Sequence, residues 1–221
     1  MKRILATVFV LALSLGVSSA TTVVYDTEAD FLAAIGSDPF LLEDFDIYTY
    51  GSYTEASLDL GPENGFSCVI SAGAGGLWSG DGNMSTGNAG DPLLVDFLLS
   101  PEPVLFTGGN FFASDIDGFY IPGTVVLELS DGTFEVYDPP GPSEFRGFVS
   151  DIPIMSLSID ALDDLATSWS TMDHFYAGGA AGGGGDGGAG VPATSTWGVI
   201  LLIALFMTVS LFYLRKRGQN A

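Results

Sequence analysis

The covalent chemistry open to this chain is limited by one cysteine, Cys68, and one histidine, His174. A serine triad would need His174 as its base, and no Gly-x-Ser-x-Gly motif is present to supply the nucleophile. A Cys68–His174 dyad would require two distant positions to meet by coincidence. Zinc sites use more Cys and His ligands than the sequence contains. The sequence therefore predicts a protein that is not an enzyme.

Carboxylates are the most abundant reactive groups, since the chain contains 27 Asp and Glu residues. Asp115 and Asp117 flank a predicted turn and could ligate Ca²⁺, with Asp131 or Asp173 assisting. The alternative is ordinary turn formation, because Asp beside Gly is a common turn sequence and no EF-hand loop is present. A carboxylate pair for glycoside hydrolysis stays open as well, although no pair stands out. No cofactor is predicted apart from this Ca²⁺ alternative.

Trp78 is the candidate for ligand binding. It lies in a Gly-, Ser- and Asn-rich segment, residues 73–92, that we interpret as a long surface loop. The indole either pins this loop to a sheet or, if exposed, forms a platform on which a sugar ring can stack. The sequence leaves both interpretations open.

The elements that must position these groups are mostly short strands. The first strand is expected at Thr22–Tyr25. Thr27 with Asp30 forms a capping-box pattern before a short helix, Glu28–Ile35, which Gly36 ends. Further strands are predicted at residues 40–45, 65–72, 93–99, 104–113, 123–129, 133–137, 145–149, 154–159 and 172–176.

Turn signals between these strands indicate how they pair. Asp131-Gly132 lies between two β-rich runs and predicts a hairpin. Gly108 and Gly109 predict a bulge or bend inside their strand. The alternation around Cys68 predicts that its thiol is a small apolar core group. Together these features predict an all-β fold, an antiparallel jelly-roll-like β-sandwich with one short N-terminal helix, over residues 21–177.

The N-terminal residues 1–20 have the three parts of a secretory signal peptide. Lys2 and Arg3 form a basic start, an apolar stretch follows, and small side chains end at Ala20. Cleavage by signal peptidase is predicted after Ala20, and an uncleaved N-terminal anchor is the alternative. We therefore expect the chain to be exported.

The C-terminal region carries a second apolar segment. Residues 197–214 contain no charged side chain, and as a helix they would extend about 27 Å, close to the thickness of the hydrocarbon core of a bilayer. Arg215, Lys216 and Arg217 follow at once, and basic residues stay on the cytoplasmic side. The sequence predicts a single transmembrane helix with a cytoplasmic C-terminus.

The charge between the two apolar segments excludes one class of partner. Residues 21–190 hold all 27 acidic residues and one basic residue, Arg146, which gives a net charge of −26. Such a surface repels DNA and RNA. We therefore predict no nucleic-acid partner.

A short motif precedes the C-terminal apolar segment. Residues 178–190 are almost entirely Gly and Ala and predict a flexible linker that spans about 20 Å. Val191, Pro192, Ser195, Trp197 and Gly198 follow. With these residues, the apolar helix and the basic cluster in order, residues 191–221 resemble the C-terminal sorting signal of bacterial exosortase-sorted proteins of the PEP-CTERM type.

The match to the sorting motif of that family is partial. The family has Val-Pro-x-Pro-Ser-x-Trp, and Ala193 and Thr194 replace its usual Glu and second Pro. These replacements bring the segment closer to a related variant, Ile-Pro-Thr-Leu-Ser-x-Trp-Gly. The resemblance implies recognition by a membrane-embedded exosortase and cleavage near residues 192–195. A plain single-span anchor is the alternative.

Taken together, these features predict a noncatalytic exported protein of the cell surface or extracellular matrix. It would be an inner-membrane intermediate with a cytoplasmic C-terminus, and then a surface or extracellular protein. Its expected partners are signal peptidase, an exosortase-type protease, exopolysaccharide and, before processing, the membrane. The alternative function is a secreted carbohydrate-binding or carbohydrate-active protein.

Overall fold

The computed structural model describes residues 21–51, 53–80, 82–162 and 167–180. In these ranges the chain forms one helix and fourteen strands. The helix is α1 (Glu28–Ile35), and the strands are β1 (Thr22–Tyr25), β2 (Phe40–Glu43), β3 (Ser57–Glu63), β4 (Phe66–Ser71), β5 (Leu77–Ser79), β6 (Met84–Thr86), β7 (Leu93–Asp96), β8 (Phe106–Ser114), β9 (Tyr120–Ile121), β10 (Thr124–Leu129), β11 (Phe134–Tyr137), β12 (Phe145–Ser150), β13 (Ser156–Leu162) and β14 (Trp169–Gly178).

The helix α1 has the bounds that its capping residues predict. The Thr27 hydroxyl accepts a hydrogen bond from the Asp30 backbone N–H at 3.2 Å and donates one to the Asp30 carboxylate at 2.8 Å. At the other end, the Gly36 N–H donates to the Leu32 carbonyl, with a Gly36 φ of +62° that favours glycine. A backbone group at each end of the helix is thus hydrogen-bonded by a capping residue that the sequence pattern predicts.

The strands form two antiparallel sheets. Sheet A has the order β1-β12-β8-β14-β6-β5, and in addition β2 pairs with β14 and β9 pairs with β8. Sheet B has the order β11-β10-β13-β7-β4-β3. β14 uses one edge for two partners, since β6 pairs with its first half and β2 with its second half.

The core lies between the two sheets and makes the fold a β-sandwich. Sheet A contributes Phe111 and Phe175, and sheet B contributes Ile70, Leu127 and Ile159, all with no exposed surface and all in one apolar cluster. A smaller cluster lies between α1 and the opposite face of sheet A. It consists of Phe31, Ile35, Phe106, Phe145 and Tyr176. The all-β prediction is confirmed at this level.

Several short strands were missed by the sequence prediction. β3, β5, β6 and β9 all lie where no strand was expected. The interpretation of residues 73–92 as one long loop is wrong, because β5 and β6 form a hairpin inside it, with Trp78 opposite Ser85. Strands of two or three residues carry too little alternation to be recognised from periodicity.

The bulge lies on β14 rather than at Gly108 and Gly109. The register between β8 and β14 shifts between Asp173 and Tyr176, and His174 adopts a φ of +49° there. The glycines allow close packing instead, since a Cβ on Gly108 would lie 2.9 Å from the Phe145 ring. This bulge turns the His174 side chain toward α1.

Three predicted segments lie outside the described residues: the signal peptide 1–20, most of the linker, and the sorting signal 191–221 with its helix 197–214. Where the structure does describe the chain, β14 extends to Gly178, the first residue of the predicted linker. Within the described ranges, no helix has the length and apolar character that a membrane span needs.

Candidate ligand-binding cleft

The candidate site starts from the register of three strands of sheet A. Trp78 on β5 lies opposite Ser85 on β6, and Ser85 lies opposite Thr171 on β14. Trp169 is two residues from Thr171 and therefore shares its face. Met172, on the other face, belongs to the core. Trp78 and Trp169 thus lie on the face of sheet A that points away from sheet B.

Buried hydroxyl groups tie the strands together below these two indoles. The Thr171 hydroxyl lies 2.7 Å from the Ser85 hydroxyl and 2.7 Å from the Ser114 hydroxyl. All three residues are at most 2% exposed. Because buried hydroxyl groups are costly without partners, this set of hydrogen bonds fixes the relative positions of β6, β14 and β8.

Above these strands lies a cleft of about 270 Å³ that we call the aromatic cleft. Tyr50, Trp78 and Trp169 supply aromatic walls, and Asp115 and Asp117 supply carboxylates. Tyr50 and Trp78 pack edge to face, with ring centroids 5.8 Å apart. The cleft therefore combines flat apolar surfaces with hydrogen-bond acceptors, as small-molecule sites generally do.

A second depression of about 390 Å³, the adjoining groove, continues from the aromatic cleft. It shares Tyr50 and Asp117 with the cleft and adds Asn83 and Phe119. Tyr50 and Phe119 are 52% and 68% exposed. The two depressions together form a continuous surface that carries these two exposed aromatic rings.

The two carboxylates have different local roles. The Asp115 Oδ1 accepts backbone N–H groups from Asp117 at 3.0 Å and Phe119 at 2.9 Å, which closes the turn between β8 and β9. Asp117 is exposed, and its Oδ1 accepts the Tyr50 hydroxyl at 2.7 Å. This hydrogen bond raises the pKa of Tyr50. Asp115 thus shapes the turn, and Asp117 presents a carboxylate to the cleft.

Two polar atoms of this region have no hydrogen-bond partner. They are the Trp78 Nε1, which is a donor, and the Asn83 Oδ1, which is an acceptor. Among the described residues only one further buried side-chain nitrogen or oxygen, the Arg146 Nε, is in the same situation. Buried polar atoms are normally paired, so their concentration around the cleft calls for a partner of mixed donor and acceptor character.

A second polar cluster lies between α1 and β14. The Tyr176 hydroxyl donates to the Glu28 Oε1, and the His174 Nε2 lies 2.8 Å from that oxygen and 2.9 Å from the Tyr176 Oη. Because the tyrosine proton goes to Glu28, the His174 Nε2 must carry a hydrogen. These contacts join the first residue of α1 to the bulge of β14.

The ionisation of this cluster follows from its contacts. Burial opposes the charge on Glu28, but hydrogen bonds from Tyr176 and His174 outweigh it and lower the Glu28 pKa. Burial, together with the neighbouring carboxylate, raises the pKa of Tyr176. Tyr176 therefore stays protonated while Glu28 is ionised, and we interpret the cluster as an anchor for α1.

Replacing Glu28 with Gln is expected to lower the free energy of unfolding near neutral pH by less than about 1 kcal/mol, because Glu28 is partly exposed. Because the pKa of Glu28 is lower in the native protein than its ordinary value of 4.5, the carboxylate stabilises the fold fully at pH values above 4.5. This contribution is lost as the pH falls through the lowered native pKa. Urea denaturation should therefore show a difference from the unmodified chain that shrinks in acid. Glu128→Gln, at an exposed position of β10, is the control. If Glu28→Gln lowered the free energy of unfolding equally near neutral pH and in acid, this account would be contradicted.

Cys68 and His174 do not form a dyad. Cys68 is 2% exposed within the core between the sheets, and burial raises its pKa to about 12. His174 contacts Glu28 and Tyr176 beside α1. The core role expected for Cys68 is confirmed.

The structure brings together two candidates that the sequence offered separately, namely Trp78 and the pair Asp115 and Asp117. Asp131 lies elsewhere, where hydrogen bonds from Thr22 and Thr133 lower its pKa despite partial burial. In the described part of the chain, no group of three or more His, Cys, Asp or Glu side chains is placed to hold a metal ion.

Sequence reasoning missed Tyr50, Asn83, Phe119 and Trp169 as members of the site. Trp169 carried a signal, since it is one of only three tryptophans in the chain. The others lie in segments without a recognisable motif. The sorting residues Val191, Pro192, Ser195, Trp197 and Gly198, with Arg215, Lys216 and Arg217, lie outside the described residues.

Comparison of the chain with known proteins found no similar family, protein or structure. No protein-family model matches the chain, and neither a curated protein nor a solved structure matches it. Functional inference therefore depends on the residues and their geometry.

Proposed function

We propose that this chain is a noncatalytic exported protein of the cell surface or extracellular matrix that is processed through its C-terminal sorting signal and associates with exopolysaccharide. The observation that carries the proposal is the order of signals in the sequence. An export signal at 1–20 precedes an acidic domain, a Gly-rich linker, the motif at 191–198, an apolar segment at 197–214 and a basic triplet.

Physical considerations support a sorting function for this arrangement over a plain anchor. Pro192 restricts the motif to an extended conformation, which is the form that proteases bind. The Gly-rich linker keeps the motif accessible. A permanent anchor would need the apolar segment and the basic triplet, but it would need neither the motif nor the linker.

The strand order supports a jelly roll as the finer description of the sandwich. A jelly roll places its eight strands in the orders 1-8-3-6 and 2-7-4-5 in its two sheets. If β2, β7, β8, β10, β11, β12, β13 and β14 are numbered one to eight, sheet A contains the first order and sheet B the second. The hairpins β3–β4 and β5–β6 are then insertions between the first two strands. Jelly rolls occur in many lectin domains, which is compatible with display at a glycan-rich surface.

Intact-mass measurement of the protein recovered from its native host tests the proposal. We expect a mature chain that begins at Thr21 and lacks residues 197–221. Pro192→Ala should accumulate as the unprocessed chain, because the motif loses its restricted backbone. Pro142→Ala, the same substitution in an exposed loop of the domain, is the matched control and should be processed normally. Unmodified protein that retains residues 197–221 would contradict the proposal.

A further inference from the structure

We propose that the aromatic cleft and the adjoining groove form a binding site for a neutral polysaccharide chain. The inference deepens the proposed association with exopolysaccharide, and it rests on that function only for where the protein would meet its ligand. The residues that form the site all lie within the described domain.

The shape and the aromatic surfaces favour a chain of sugar rings. The cleft and the groove share Tyr50 and Asp117, so a ligand can extend from one into the other. Trp78, Trp169 and Phe119 line the two depressions. A pyranose ring presents an apolar face of C–H groups that packs on such rings, while its hydroxyl groups point outward to polar partners. Tyr50 and Phe119 are exposed, and Trp78 and Trp169 are half-buried. Neighbouring aromatic side chains that remain accessible in this way generally mark a binding surface.

The polar groups favour a ligand rich in hydroxyl groups. Asp117 offers a carboxylate acceptor, the Trp78 Nε1 is a donor without a partner, and the Asn83 Oδ1 is an acceptor without a partner. A hydroxyl group both donates and accepts, so one type of ligand group can satisfy all three. The two unpaired atoms are covered by neighbouring atoms, so each side chain would have to move for a bound hydroxyl group to reach its unpaired atom.

The charges favour a neutral chain over an anionic one. Asp115 and Asp117 lie in the cleft, and the exported residues 21–190 carry a net charge of −26. Their single basic residue, Arg146, forms ion pairs with Asp26, Glu135 and Glu144. A uronic-acid polymer would therefore meet repulsion with no cation to offset it.

A cationic ligand is the competing occupant, because aromatic rings and carboxylates also attract ammonium groups. An ammonium group would leave the Trp78 Nε1 without a partner, since a cation cannot accept a hydrogen bond from a donor. A single ammonium group would also contact only a small part of the aromatic cleft and the adjoining groove. The observations therefore favour the neutral glycan, and the cation becomes one outcome of the test.

The test uses the full chain in a detergent without a sugar headgroup. Binding of neutral hexasaccharides of glucose, mannose, galactose and xylose is measured by calorimetry and by tryptophan fluorescence. A hexamannuronate and a trimethyllysine peptide are measured in parallel. We expect at least one neutral hexasaccharide to bind and the other two probes not to bind. Trp78→Ala should weaken binding by about tenfold or more.

Asp117→Asn provides a second variant in case Trp78→Ala does not fold. Asp117 is exposed, and loss of its charge should weaken binding by about fivefold. Phe134→Ala, an exposed aromatic on β11, is the matched control and should bind as the unmodified chain does. Failure of every neutral probe, preference for hexamannuronate or the trimethyllysine peptide, or unchanged affinity in both cleft variants would each overturn the proposal. None of these outcomes affects C-terminal processing, so the two proposals can fail separately.

Discussion

Replacing Phe31 with Ala is expected to lower the free energy of unfolding by about 3–5 kcal/mol. Phe31 has no exposed surface and packs against Phe106, Phe145 and Tyr176 with ring centroids 5.3–5.9 Å apart. The ring also covers Gly147, where a Cβ would lie 2.5 Å from it. Its loss leaves a cavity that neighbouring rings cannot fill, because the sheet fixes their positions. Chemical denaturation followed by circular dichroism measures the change.

The appropriate control for Phe31 is another phenylalanine. Phe134 on β11 is 59% exposed, so Phe134→Ala should change the free energy of unfolding by less than about 0.5 kcal/mol. A similar loss in both variants would show that the cluster under α1 is not a buried core. The main core lies on the other side of sheet A, so the sandwich should still fold in Phe31→Ala.

The Cys68 thiol is expected to react with a thiol reagent at about pH 8 at least about a thousandfold more slowly in the native protein than in the unfolded chain. Burial raises its pKa from 9.0 to about 12, and the side chain is 2% exposed. Thiolate is the reactive form, so the raised pKa alone accounts for a factor of about a thousand. Restricted access adds to this factor. Absorbance of the released reagent gives the rate.

Denaturant provides the control for this measurement, because the unfolded chain should react completely and at once. The native rate should also rise in Phe31→Ala, to the extent that the variant opens more often. Rapid labelling of native protein would contradict the placement of Cys68 in the core. It would then reopen the question of a reactive thiol.

The elements predicted well share one property, namely a signal confined to a few neighbouring residues. Thr27, Asp30 and Gly36 define α1 through hydrogen bonds within the helix ends. The β10–β11 hairpin follows from Asp131-Gly132, with Gly132 at a φ of +88°. The core role of Cys68 follows from alternation along β4. Such features need no partner from elsewhere in the chain, so a sequence can reveal them.

The candidate site could not be assembled in the same way. Trp78 and Asp117 were noticed, but no local pattern could show that Tyr50 donates a hydrogen bond to Asp117 across 67 residues. The bulge was assigned to Gly108 and Gly109, although it lies on the facing strand at His174. Gly108 is instead required by the approach of Phe145 and Arg146 from β12, and Gly109 faces the carbonyl oxygens of Asp173 and His174 on β14. Each of these contacts depends on strand pairing.

The sequence by itself determined the charge, the single cysteine and histidine, and the elements with local caps or turns, and it is the basis for the predicted export and sorting signals. Only the tertiary structure decided that the aromatic rings of Tyr50, Trp78 and Trp169 meet beside Asp115 and Asp117. The reason is that these residues come from two strands and two loops of sheet A. Antiparallel pairing over long separations sets their distances, and the energy of that pairing comes from a core whose members are spread over the whole domain.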